Sequence, residues 1–252
     1  MNYNLNKYEL ILKTCLENGY SFRNFSELTG RKEGIILLRH DVDNDVQAAK
    51  KMALLENKLD IKSTYFLMTR SPLYNLFSRH NQDAVEEILY LGHSIGLHYD
   101  QGYDEIRGTS TDETKIYINR DCALLENEFR CKIDAVSFHQ PNKKILTSTE
   151  FNLDERVNTY DQTKLSAFEY FSDSNKALDW IMIEQKLKTS AASADRCNIQ
   201  LLIHPMWWVY DKINCEEVWD NVIINSVNYS MPQLMETERA FGGKRKLVVS
   251  YT

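Results

Sequence analysis

The chain has 252 residues, 43% of them hydrophobic, with only 9 glycines and 4 prolines. That is ample for one large core and too little Gly and Pro for a long flexible linker. A net charge of −6, with no basic cluster beyond the short run Gly243-Lys244-Arg245-Lys246, argues against a nucleic-acid partner.

The polar stretch from Met1 to Leu12 carries neither a signal-peptide core nor a membrane span. Cys15, Cys122, Cys131, Cys197 and Cys215 are scattered and odd in number, and they read as reduced thiols. Both features point to a cytoplasmic protein. A single domain over 1–252 is expected, with an N-terminal helical extension over 1–34, a core over about 35–208 and a C-terminal helical part over 209–252.

Tyr8, Leu10, Ile11, Leu12 and Leu16 predict an amphipathic helix, and the looser stretch with Phe22, Phe25 and Leu28 reads as a lid or packing extension. Ile35-Ile36-Leu37-Leu38 then reads as a strand buried on both faces, running directly into Arg39-His40-Asp41-Val42-Asp43. Asp45 precedes a helix over Val46–Glu56, and Ser63–Met68 is β-branched and aromatic enough for a second strand. A helix ending near Leu91 leads to a short strand over Gly92–His98, with Asp100 and Gly102 just beyond it. Thr111–Phe129 is a long helix. Ala135–Phe138 is a fourth strand ending in His139-Gln140-Pro141-Asn142. An aromatic strand around Phe168–Phe171 precedes Asp173. Ile199–Ile203 is the last clear strand, delivering His204-Pro205-Met206-Trp207-Trp208, and a helix around Glu216–Val227 closes the domain. This alternation implies an α/β fold with a mostly parallel sheet, and at this length an irregular (β/α) barrel of about seven strands.

Parallel strands bring their carboxyl ends together. His40, His98, His139 and His204, with Asp41, Asp43 and Asp173, all fall at strand ends and should therefore converge on one polar pocket. Imidazole and carboxylate at one open site suit a divalent metal such as zinc, with a position left for water. Asp41 and Asp43 lie two apart and share a side of an extended segment, whereas His40 points the other way. His93 reads as structural. By the same spacing Asp100 lies on the side of His98. Tyr99, Tyr103, Trp207 and Trp208 are candidates for an aromatic wall of the pocket.

The motifs Arg39-His40-Asp41-Val42-Asp43, Ser63-Thr64-Tyr65-Phe66, Gly92-His93-Ser94-Ile95-Gly96-Leu97-His98, Phe138-His139-Gln140-Pro141 and Leu202-Ile203-His204-Pro205 resemble, in order, those of the polysaccharide deacetylases, the NodB-homology carbohydrate esterases. The resemblance implies an irregular (β/α) barrel that hydrolyses N- or O-acetyl groups on sugars. It further implies Asp41 as base, Asp43 and His98 as metal ligands, His204 as acid, Asp173 as its support and Trp180 as the accompanying tryptophan.

Three departures mark a divergent branch similar to the deacetylase-like proteins of bacterial surface-glycan gene clusters. Val42 separates two aspartates that are usually adjacent, so base and ligand are open to exchange. His139 stands in place of an arginine, as a candidate substrate-binding residue. Gly102 stands where a second histidine ligand is expected, and Asp100 is favoured over His139 as the replacement.

The function expected is removal of an acetyl group from an acetylated amino sugar or nucleotide sugar in bacterial glycan biosynthesis, with zinc as cofactor. Hydrolysis of another C–N bond, as in ureido compounds or cyclic amides, and a catalytically inactive glycan-binding relative are the alternatives.

Overall fold

The computed structural model describes residues 3–28, 30–142, 145–146, 151–153, 155–190 and 196–241. The basic run after Gly242 lies outside them. Among the described residues the elements run α1 (Leu5–Glu17), β1 (Ser21–Arg23), β2 (Ile35–Val42), α2 (Val46–Lys58), β3 (Thr64–Leu67), α3 (Arg79–Tyr90), β4 (Ser94–Asp100), α4 (Gly102–Arg107), α5 (Thr111–Phe129), β5 (Ala135–His139), β6 (Val157–Asn158), α6 (Gln162–Leu165), β7 (Phe168–Ser172), α7 (Trp180–Ser190), β8 (Asn198–Ile203), α8 (Pro205–Val209) and α9 (Cys215–Thr237). Helix starts follow local chemistry. Asp45 accepts the N–H groups of Gln47 and Ala48 at the head of α2, and Ser110 with Glu113 forms a capping box at α5.

The strands form one sheet in the order β6-β5-β4-β3-β2-β8-β7, with β1 paired to β2 off this path. Each named strand pairing is parallel. The sheet curls into a half-barrel, consistent with the irregular (β/α) barrel expected from the sequence, and is open between its two edge strands β6 and β7. β2 lies inside it, between β3 and β8, with all eight residues buried. Alternation along β2 sends Ile35 and Leu37 into a cluster with Phe25, Phe66, Ala135, Val157 and Leu165. Ile36 and Leu38 pack on the other face against α1 and the residues of α8. Gly96 is required where β4 passes this inner cluster. A Cβ there would lie 2.5 Å from the Phe66 ring and 3.0 Å from the Ala135 carbonyl oxygen.

Outside the curl, α2 presses Glu56, fully buried, against the sheet. Its carboxylate accepts from Tyr8 Oη at 2.6 Å, Ser63 Oγ at 2.6 Å and Tyr65 Oη at 2.9 Å, and His40 Nε2 lies 2.8 Å away. Burial alone would raise this carboxyl, but His40, His93 and Ser63 more than offset it and hold it down to about 2. His40 thus faces away from Asp41, and His93, 3.0 Å from Ser63 Oγ, belongs to the same packing cluster. His93 has the structural role expected of it, whereas His40, expected with the strand-end histidines at the pocket, lies on the far face of β2, the direction that alternation with Asp41 gives it.

The strands β1 and β6 and the helices α4, α6, α7 and α8 were not foreseen. Two or three residues are too few to show a period of two, and most of these helices are one or two turns long. Among the described residues no helix is long and apolar enough to cross a membrane.

Candidate active site

The carboxyl ends of β2, β4, β5 and β8 open onto a pocket of about 540 Å³ lined by Asp41, Asp43, His98, His139 and His204, among others. Asp41 is only 2% exposed. One of its oxygens, Oδ2, accepts from Arg39 Nη2 at 2.8 Å and from Ser137 Oγ at 2.9 Å, while Oδ1 has no hydrogen-bond partner among the described residues. Arg39, two residues earlier on the same face of β2, is fully buried, and its Nη2 also donates to Ser137 Oγ and to Tyr160 Oη. Burial alone would raise the Asp41 carboxyl. The Arg39 guanidinium, with His98 and His204, instead keeps it below the ordinary carboxylate range.

Next to Asp41, one side-chain atom from each of Asp43, His98 and His139 lies within 4.8 Å of the other two. His98 Nε2 stands 2.8 Å and His139 Nδ1 3.5 Å from Asp43 Oδ1. Burial would raise the Asp43 carboxyl, but the neighbouring rings of His139, His98 and His204 bring it well below its usual range.

The single Ser137 hydroxyl proton goes to Asp41, so Ser137 Oγ accepts from Arg39 and from His98 Nδ1, 3.1 Å away. A neutral His98 then turns a lone pair on Nε2 toward Asp43 Oδ1 at 2.8 Å. Two acceptors at that distance need a proton or a cation between them. One carboxylate and two imidazoles, with one ring oriented through its far nitrogen, fit a divalent ion.

Opposite this group, Asp173 and His204 form a second unit. Asp173 is fully buried. Its carboxylate accepts the His204 backbone N–H with both oxygens at 3.0 Å, lies 2.6 Å from His204 Nδ1 and accepts Trp208 Nε1 at 2.7 Å. Burial would lower His204, but Asp173, Asp43 and Asp41 together hold it up to about 9, so the ring is cationic at neutral pH. Its Nε2 points back toward the pocket, 3.9 Å from Asp43 Oδ2.

The structure does not bring together every residue selected from sequence. Asp100 stands apart from the trio. At the last position of β4 its carboxylate instead accepts the Gly102 N–H at 3.1 Å, where the chain turns into α4, so sharing a side with His98 does not bring it into the trio. His139, from the neighbouring strand, occupies the place expected of it. Tyr99 is 2% exposed and donates both ways to Asp104, on the outer face of β4. Trp208 is fully buried behind Asp173, with Tyr3 and Tyr8 at ring separations of 4.5 and 5.4 Å. Neither can touch a substrate. Trp207 does line the pocket, and Tyr160, Tyr170 and Trp219 line it as well, none of them anticipated. It is Trp208, from the turn after His204, that contacts Asp173; Trp180 stacks under the Lys7 ammonium instead.

The fold and pocket thus define an open (β/α) barrel with clustered carboxylates and imidazoles at the carboxyl ends of its strands. No protein-family description and no curated protein sequence matches the chain. Among solved structures it is similar to IcaB from Ammonifex degensii, at 17% identity and a TM-score of 0.42 over 53% of this chain and 65% of that one. The chain therefore spans slightly less than two thirds of IcaB's length. It is similar to the Streptococcus pyogenes deacetylase PplD in complex with acetate, at 14% identity and a TM-score of 0.43 over 79% of this chain and 80% of that one. A family 4 carbohydrate esterase from Bacillus anthracis aligns at 12% identity and a TM-score of 0.46 over 89% and 86%. Likenesses at this level leave the functional reading to the residues of the site.

Proposed function

We propose that the protein is a hydrolase that removes an acetyl group from an acetylated amino sugar, as a divergent relative of the polysaccharide deacetylases. The observation that carries this reading is the presence, around one pocket, of three complementary units. These are an ionised carboxylate with one free oxygen, an Asp-His-His trio and a carboxylate-supported cationic histidine.

An amide resists hydrolysis because its carbonyl is weakly electrophilic and its amine leaves poorly. Asp43, His98 and His139 would hold a divalent cation, zinc by the nature of the donors, and that ion supplies Lewis acidity toward a carbonyl oxygen. Asp41 Oδ1 orients water and takes its proton, with Oδ2 anchored by Arg39 and Ser137 so that the free oxygen cannot swing away. His204 Nε2–H donates to the departing nitrogen, and Asp173 holds that ring in place through Nδ1. The pocket aromatics Trp207, Trp219, Tyr160 and Tyr170 provide faces for a sugar ring. A role in bacterial surface-glycan synthesis rests on the sequence resemblance.

Acetate release from a panel of N- and O-acetylated sugars and nucleotide sugars, measured beside bound metal, tests this. Metal binding without acetate release from any of them would favour another C–N bond as the target. Neither metal nor release would favour a non-catalytic glycan-binding protein.

Two further outcomes are expected. In calorimetric titration with zinc, His139→Ala should lose affinity by roughly 100-fold or more, since removing a direct ligand exceeds the effect of removing an outer-shell partner. Asp100→Ala should bind as the parent does, and the reverse pattern would return the ligand role to Asp100. His204→Ala should slow amide hydrolysis by about 10²- to 10⁴-fold but affect an activated ester far less, because a good leaving group needs little protonation. Equal losses on the two substrates would assign His204 to binding.

A further inference from the structure

The rim of the barrel carries a positive cluster beside the catalytic pocket. Just past β3 the Arg70 guanidinium stands 5.2 Å from the centre of the Tyr103 ring, and Arg107, in the last turn of α4, stands 4.1 Å from the same ring. Tyr103, expected as part of an aromatic wall of the pocket, thus serves as a platform for two cations. Arg120, on α5, lies 5.1 Å from the Tyr117 ring, with its Nε 3.5 Å from Asp121 Oδ1. Asp121 is buried and accepts from Arg70 with both of its oxygens.

Three guanidinium groups therefore surround one carboxylate, on a chain whose net charge is −6. Among the described residues Arg70 and Arg120 pair with Asp121, whereas Arg107 is exposed and pairs with no carboxylate. Other acids close by in the chain are committed elsewhere. Asp104 accepts from Tyr99 Oη, and Glu113 accepts from Ser110.

Two chain connections tie the cluster to the catalytic groups. Ser71, the residue after Arg70, donates through Oγ to the Asp43 carbonyl oxygen at 2.8 Å, and Pro72 after it lines the pocket. Tyr103 and Arg107 lie on α4, which directly follows β4 and its His98. A guanidinium lying over an aromatic face keeps its N–H edge free, and that edge matches the paired oxygens of a phosphate. Arg70 spends its edge on Asp121, while Arg107 and Arg120 keep donors to offer.

We infer that Arg107 and Arg120, set in place around Tyr103 and Asp121, form a phosphate-recognition site at the rim. The preferred substrate is then an N-acetylated sugar joined to a phosphate or diphosphate, with a neutral free glycan a poorer one. A nucleoside and a lipid carrier would both present that chemistry. The inference rests on the deacetylase reading for the acetyl group, while the phosphate contacts belong to the two arginines.

The test compares kcat/KM for acetate release from N-acetylglucosamine, from its UDP conjugate and from a short-chain prenyl diphosphate conjugate. The parent should favour at least one conjugate by about tenfold or more, the scale of a hydrogen bond to a charged partner. A preference confined to one conjugate identifies the carrier, and a preference for both places recognition in the phosphates themselves. Arg107→Gln or Arg120→Gln should bring the ratio of conjugate to free sugar toward one. Both side chains are exposed, so the variants fold, and the ratio is insensitive to a general loss of rate. A ratio near one in the parent, or a raised ratio that neither variant alters, would overturn the phosphate site.

Calorimetry with inorganic diphosphate separates the two readings. If no sugar releases acetate but either variant weakens diphosphate binding about fivefold or more, the phosphate site stands and the deacetylase reading falls. If no sugar releases acetate and diphosphate either fails to bind or binds both variants as it binds the parent, both readings fall.

Discussion

Asp41→Asn is expected to lower kcat for amide hydrolysis by roughly two orders of magnitude or more while zinc binding is retained. Asp41 makes no direct ligand contact in the arrangement proposed, since Asp43, His98 and His139 form the trio. A carboxylate held below its ordinary range by Arg39 is a weak base. Its main contribution is therefore to fix the attacking water and receive the proton at a defined oxygen. The asparagine keeps the shape and an acceptor for Arg39 or Ser137, but it removes the negative charge from a buried pair. Leaving Arg39 without its counter-ion costs stability, about 3 kcal/mol, which lowers Tm by roughly 6–12 °C for a chain of this size. Turnover is therefore compared well below the melting transition. Metal lost from Asp41→Asn but kept by Asp43→Asn would exchange the two roles.

Glu56→Ala should be the most destabilising single change away from the pocket, and it should leave the trio intact. It strips the acceptor from Tyr8, Ser63 and Tyr65 and the partner from His40, all in a dry layer between α1, α2 and the sheet. Breaking a buried, fully connected cluster of this kind costs about 3–5 kcal/mol, or roughly 6–20 °C in Tm.

The pH dependence has a definite sign. The folded carboxyl sits at about 2, below its ordinary 4.5. Its stabilisation is therefore complete above pH 4.5 and is lost as pH falls from there toward 2. Thermal unfolding followed by circular dichroism should show the gap between parent and Glu56→Ala narrowing over that interval. A gap that stays constant or widens on acidification would show that the cluster acts through packing alone.

The parts of the fold legible in the sequence were those whose signal is local and strong. Ile35–Leu38 and Ile199–Ile203 are short, largely aliphatic runs that read as strands buried on both faces, and the two pair side by side inside the sheet. Thr111–Phe129 carried its own cap and was bounded correctly. Strand alternation also separated His40 from Asp41.

The same rule would have removed Tyr99 from the pocket, since it adjoins His98 and must face the other side. It would also have pointed to Arg39, which sits in an otherwise aliphatic strand two residues before Asp41 and therefore shares its face. Asp100 is the last residue of β4, where alternation still holds, but its carboxylate turns to the Gly102 N–H at the entry to α4, which a period of two does not show. Trp208 illustrates a different limit. A five-residue helix after His204 rotates it behind Asp173, and neither the helix nor its phase shows in so short a segment. Tyr160 and Tyr170 lie in weakly patterned sequence or on a strand read only for its end, so their place at the pocket emerged only from the curl of the sheet.

An open barrel has two bare strand edges, and unpaired backbone groups invite other chains to add on. Here the hazard is limited by brevity and charge. β6 is two residues long, too short to template a ladder. β7, the other edge, has five residues, one of which, Glu169, forms an ion pair with Lys186 at 2.5 Å. The protein thereby keeps a gap in its wall, which a closed barrel of the same size would lack, while presenting little edge along which a neighbouring molecule could begin to aggregate.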